Sequence, residues 1–174
     1  MEIRRALPEE YAAIGDLTVS AYLADGLVAP GSNYDVVLRD AASRAEKAEL
    51  WVAEGPDGLA GTVTFCPLGS PYREIGTDAE GEFRMLAVSP TARGLGVGKA
   101  LTRHCLDRSR DLEFTAVVLS SSTKMATAHH IYSSLGFTRL PERDWTPVPG
   151  VDLIAFRLVL LDEGHATHRR RGFE

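Results

Sequence analysis

Residues 81–106 read GEFRMLAVSPTARGLGVGKALTRHCL, and the fold turns on them. Glu82 to Val88 is an extended segment, Ser89-Pro90 closes it with a turn, and a helix follows with Gly94, Gly96 and Gly98 at its mouth. Glycine has no Cβ, so a ligand can approach the main chain closely, and the first amides of a helix have no intrahelical acceptor. With the positive end of the helix dipole behind them, those amides form an anion site. Arg93 adds a planar guanidinium suited to phosphate oxygens. The stretch therefore predicts a strand leading into a backbone-built site for a phosphorylated cofactor.

Spacing separates three phosphate motifs. A P-loop needs glycine where Arg93 stands and Ser or Thr where Ala100 stands. The dinucleotide fingerprint needs glycine at Lys99 and a strand immediately before it, whereas Ser89 to Arg93 intervene. What remains is R-x-x-G-x-G over Arg93 to Gly98, behind a strand ending Leu86-Ala87-Val88. This resembles the acetyl-CoA signature of the GNAT N-acetyltransferase superfamily. A second segment, Ala128 to Phe137, is similar to that family's A-x-x-x-Y-x-x-x-G-F pattern, with Tyr132 at its centre. One position departs from the family: the asparagine often found seven residues before the tyrosine is Met125.

The resemblance implies a mixed α/β fold. Its central sheet has six to seven largely antiparallel strands, about four helices flank it, and a splayed strand pair holds acetyl-CoA. It implies direct acetyl transfer to a primary amine of a small molecule or peptide N-terminus. It places the cofactor against Leu86, Ala87 and Val88 and against Arg93, Gly94, Leu95, Gly96, Val97, Gly98 and Lys99. Tyr132 is then the acid for the leaving sulfur. Glu82, six residues before Val88, is the expected general base. Arg84 shares its strand face, opposite Phe83 and Met85, and either pairs with Glu82 or orients a substrate carboxylate. The acceptor side is expected between Asp25 to Asp35 and Pro141 to Gly150, which offer Tyr22, Tyr34, Trp145 and the carboxylates Asp25, Asp35 and Asp144. A non-catalytic acetyl-CoA sensor or regulatory domain is the alternative; it would keep the glycine turn without needing Glu82 or Tyr132.

Composition sets the outer bounds. At 174 residues, with 44% apolar and 25% charged residues, the chain reads as one globular domain over residues 1–162. Residues 163–174, with His165, His168 and Arg169 to Arg171, are expected to form a mobile tail. A net charge of −5 argues against a nucleic-acid surface. No apolar run reaches membrane-spanning length and no secretory leader is visible, so a cytoplasmic setting is expected, and the family resemblance admits a homodimer. Cys66 and Cys105 form neither a disulfide framework nor a metal cluster, and no metal is expected.

Elsewhere the pattern predicts a strand at Glu2 to Ala6 and a helix through Tyr11 to Tyr22. A second helix is carried by Val36, Val37, Ala41, Arg44 and Ala45. A hairpin turns at Gly55-Pro56-Asp57-Gly58, and a loop fills Pro67 to Gly81. Thr115 to Leu119 reads as a buried strand with Ser120, Ser121 and Ser122 near its exit, and Met125 to Leu135 as a helix closed by Gly136. His129 and His130 are expected on the surface of that helix. Strands at Phe137 to Leu140 and Val151 to Leu161 end the domain.

Overall fold

The computed structural model describes residues 1–161, so the expected tail lies outside the described residues. One sheet organises them. Its order is β1 (Glu2–Arg5), β2 (Glu49–Gly55), β3 (Gly58–Cys66), β4 (Glu80–Val88), β5 (Ala116–Ser122), β8 (Val151–Val159) and β6 (Thr138–Arg139), with β7 (Trp145–Val148) also on β8. The helices are α1 (Tyr11–Ala24), α2 (Tyr34–Arg39), α3 (Ala41–Lys47), α4 (Val97–Asp111) and α5 (Ala126–Ser134). The Pro56-Asp57 turn joins β2 to β3 as the sequence predicts, with Gly55 opposite Gly58.

Two differences from expectation have local causes. The predicted second helix is two helices, because Asp40 leaves the helical region (φ −79°, ψ 66°) and its carboxylate accepts the Ser43 N–H at 3.0 Å, capping α3. The Pro141 to Gly150 loop contains a short 3₁₀ turn and β7, which brings the sheet to eight strands.

Alternation along the strands fills both faces of the sheet. Leu50 and Val52 of β2 pack with Ile14 of α1 and Ala41 of α3. Val63 and Phe65 of β3 and Phe83 of β4 pack on the other face with Val97, Leu101 and Cys105 of α4. Leu101 is fully buried, which is worth about 1.5–3 kcal/mol for a side chain of that size. Gly61 lets α4 lie this close to β3. A Cβ there would come within 2.8 Å of Val97 Cγ1 and 2.9 Å of the Ala87 carbonyl oxygen.

The pairing of β4 positions the site. Against β3, Thr62 faces Ala87 and Thr64 faces Arg84, so Met85 and Leu86 together oppose one residue, in a β-bulge. Met85 takes φ 52°, unusual for a residue with a side chain. The bulge resets the alternation. Phe83 stays with the α4 core, whereas Met85, expected on the same face, packs with Val19 of α1 and Leu38 of α2. Against β5, β4 pairs in parallel at just three positions, Glu80 with Ala116, Gly81 with Val117 and Glu82 with Val118. Beyond them the two strands part.

Candidate active site

The parting strands leave a cleft. Phe83, Arg84, Met85 and Leu86 line it from β4, and Leu119, Ser120 and Ser121 from β5. Tyr22 of α1 contributes to the lining, as do Met125 and Tyr132 at the start and within the body of α5.

The mouth of α4 has the geometry expected of an anion site. Gly94 and Gly96 adopt φ 78° and 77°, and a Cβ at either would meet nothing within 4 Å, so the loop is an open cradle of main chain. Gly96 caps α4 in the left-handed region and no side chain bonds the first-turn amides. These residues fit a pyrophosphate-bearing cofactor. Gly98 instead serves packing, since a Cβ there would lie 3.2 Å from Ile131 of α5. Val97 is buried in the core, Lys99 is half-buried and Leu95 is exposed. Arg93 is already paired: its two terminal nitrogens meet the Asp25 carboxylate at 2.5 and 3.1 Å, tying the glycine turn to the end of α1. Asp25, expected on the acceptor side, is thereby engaged.

Tyr132 is buried among Phe83, Phe137 and Phe156, with ring centroids 6.1, 5.8 and 5.7 Å away. Burial first, then the neighbouring Tyr22 and Cys105, push its phenol well above the ordinary tyrosine range. It is therefore protonated at neutral pH, the state an acid needs.

Glu82 sits differently from its expected role. It is 1% exposed, and its carboxylate accepts the N–H groups of Glu74 (2.6 Å), Ile75 (2.9 Å) and Gly76 (2.7 Å). Both oxygens are occupied in folding the β3–β4 loop onto the sheet, and neither Glu82 nor Glu74 is among the residues lining the cleft. Arg84 pairs with neither Glu82 nor an empty space: its Nε meets Glu74 Oε1 at 2.7 Å. Burial raises the Glu74 carboxyl above its ordinary value, with Arg84 opposing and the Glu82 charge adding to the rise. Glu74 lies in a loop without periodicity, where no spacing or motif in the sequence singles it out.

Trp145 donates from Nε1 to Ser120 Oγ at 3.2 Å, which places it at the open end of β5. Burial raises the Tyr34 phenol, with Arg84 and Arg44 opposing and the Glu74 charge adding to the rise. Asp144, expected to hold a cation, is consumed by the Ala155 N–H (2.8 Å) and by Arg139 (2.5 Å). His129 is half-buried rather than on the surface, its Nε2 3.1 Å from Ser121 Oγ. Among the described residues no cluster of His, Cys, Asp or Glu is arranged for a metal ion.

The sequence pattern described as the acetyltransferase (GNAT) domain matches residues 46–139, more than half of the chain. The chain belongs to the GNAT acetyltransferase family. It is 34% identical over 120 residues to N-acetyltransferase 8B of Homo sapiens, a match covering 63% of this chain and 51% of that protein. The chain thus spans about half the length, or less, of the curated relatives it matches. Its fold is that of an acetyltransferase of the GNAT family from Staphylococcus aureus, with a TM-score of 0.72 at 15% identity over 92% of this chain and 99% of that one. It is likewise similar to yncA of Salmonella typhimurium, solved with its cofactor acetyl-CoA, with a TM-score of 0.67 at 22% identity over 93% and 95% of the two chains.

Proposed function

We propose that the chain is an acetyl-CoA-dependent N-acetyltransferase that moves an acetyl group directly to a primary amine of a small molecule or a peptide N-terminus. The observation that carries this reading is the conjunction of the open glycine mouth of α4 with the β4 edge that parts from β5, in a cleft that Tyr132 lines. Family membership and relatives named as N-acetyltransferases support it. The reading includes a cytoplasmic setting, a homodimer and no nucleic-acid or membrane partner.

Acetyl-CoA, when bound, supplies the thioester whose acetyl group reaches the amine nitrogen. The first-turn amides of α4 and the Gly94–Gly96 main chain would hold its pyrophosphate, and Arg93, paired with Asp25, would stand beside it. Leu86, Ala87 and Val88 offer the β4 edge that β5 leaves unpaired. Tyr132 keeps its proton because it is buried, and it would be the residue to supply a proton to the leaving sulfur. The incoming amine must lose a proton, since an ammonium has no lone pair. We assign that proton to Glu74, which meets the cleft-lining Arg84 at 2.7 Å and whose proton affinity burial raises, and we assign Glu82 to the loop that presents Glu74. Tyr22, Tyr34 and Trp145 wall the acceptor side.

The test joins binding to turnover. Acetyl-CoA or CoA should raise the melting temperature while NAD and ATP do little, and an amine panel incubated with acetyl-CoA should release free thiol above the background rate. Stabilisation by CoA without thiol release from any amine would leave the sensor reading in its place. Stabilisation by NAD and not by CoA would remove both.

A further inference from the structure

Four charged side chains are buried in the described residues, and three of them are matched. Glu49 meets Arg5 at 3.1 Å and Arg108 at 2.8 Å. Glu80 meets Arg143 at 2.6 Å and Arg157 at 2.7 Å, and Glu82 takes three loop amides. Arg44 of α3 is the exception. It is 0% exposed, and among the described residues no carboxylate lies within ion-pair distance of it. Its Nη1 donates to Met85 Sδ at 2.9 Å, a weak acceptor, and its Nε and Nη2 have no hydrogen-bond partner.

An unmatched buried charge is among the most unfavourable features a core can hold, so a protein that keeps one has a counter-charge to offer it. The two free nitrogens define that counter-charge. Nε and Nη2 share one edge of the guanidinium plane, the edge that takes both oxygens of a carboxylate in parallel hydrogen bonds. Location defines its source. Met85, in contact with Arg44, lines the cleft, and so does Tyr22; burial lowers the Arg44 proton affinity, with Tyr22, Tyr72, Tyr34 and, last, Asp40, which lies outside ion-pair distance, acting against that fall. The Tyr72 hydroxyl is already engaged, donating to Ser43 Oγ at 2.8 Å. At the rim, Arg84 has its own counter-charge in Glu74. Methionine is unbranched and adaptable, and yields readily to an incoming group.

Building on the N-acetyltransferase reading, we infer that the acceptor is an amine that also carries a carboxylate, and that Arg44 binds this carboxylate from beneath Met85 and Tyr22. One unmatched positive charge selects one negative charge, and the amine of the same molecule then lies toward Arg84, Glu74 and the thioester.

The experiment compares α-, β- and γ-amino acids with their primary amides, matched for free-amine fraction, in the wild type and in Arg44→Met. The expected result is kcat/KM at least tenfold higher for the best acid than for its amide in the wild type, falling to near parity in the variant. Arg44→Met should melt at or above the wild-type temperature and keep its stabilisation by CoA, because it removes an unmatched charge and leaves the cofactor site alone. Parity in the wild type, a preference that survives in Arg44→Met, or a variant that melts lower would each overturn the inference. If no amine releases thiol but amino acids still raise the wild-type melting temperature in the presence of CoA, and fail to do so for Arg44→Met, the transfer reading falls while the carboxylate site stands. Thiol release from amides and acids alike would do the reverse.

Discussion

Two glutamates eight residues apart in the chain are held in different ways. Glu82 has a carboxylate saturated by three N–H donors, while Glu74 has a single guanidinium partner and a raised proton affinity. Replacing each by glutamine separates the roles. Glu74→Gln should fold with a near-wild-type melting temperature and lose on the order of a hundredfold in kcat/KM, together with the acidic limb of the pH profile. Glu82→Gln turns an NH₂ group toward backbone donors, so unfolding by urea should show a loss of about 1–3 kcal/mol. A Glu82→Gln protein of wild-type stability, with catalysis selectively lost, would return the base role to Glu82. At Tyr132, Phe should lower kcat while leaving CoA affinity nearly intact; unchanged kcat with chemistry rate-limiting would make the ring a packing element. The glycines and Tyr132 were legible because their chemistry is tied to fixed spacing. Glu74 was not, because a long irregular loop supplies it and only the Glu82 hydrogen bonds place it. Arg44 left a clue, an arginine in phase with the apolar positions of its helix.

At the scale of elements, the glycine turn and α1 share one ion pair. Arg93 and Asp25 are both partly exposed, and a pair of that kind contributes at most about 1 kcal/mol. Asp25→Asn should therefore release Arg93 and tighten CoA up to about fivefold, with the gain shrinking in high salt, as calorimetric titration at two ionic strengths would reveal. Gly96→Val should act in the opposite direction. Its φ of 77° is unfavourable for a β-branched residue by roughly 1–2 kcal/mol, yet nothing lies within 4 Å of the new Cβ, so the chain should stay folded while stabilisation by CoA disappears. The strands were legible from alternation, but alternation assumes an unbroken register. The bulge at Met85 defeats it, and no residue type in Arg84-Met85-Leu86 announces the extra residue. The split at Asp40 was more visible, since aspartate is a common first cap.

Across the whole molecule, Glu80 joins pieces that the chain keeps far apart. Its carboxylate reaches Arg143 of the 3₁₀ turn before β7 and Arg157 of β8, and accepts the Thr77 N–H at 2.9 Å. Burial works to raise its proton affinity, but the Thr77 amide and the two arginines outweigh it and bring the carboxyl down to about 2 from an ordinary 4.5. A folded-state value below the unfolded one means the stabilisation is fully present above about pH 4.5 and is lost as pH falls toward 2. Melting temperature should fall across that window, and Glu80→Gln should flatten the fall and lower the neutral-pH plateau. An acid limb of the same slope in the variant would place the titration elsewhere.

The three paired positions between β4 and β5 also have a mechanical meaning. Each strand keeps a full neighbour on its outer side, β3 for β4 and β8 for β5, so the sheet behaves as two stiff blades joined along a short spine at Glu80 to Glu82. Widening the cleft to admit or discharge a bulky molecule need not unzip either blade. Any such widening would act on the three residue pairs, on the Glu80 ion cluster beside them, and on the contacts of the Phe83 ring with Tyr132 and Phe137 that bridge the two blades.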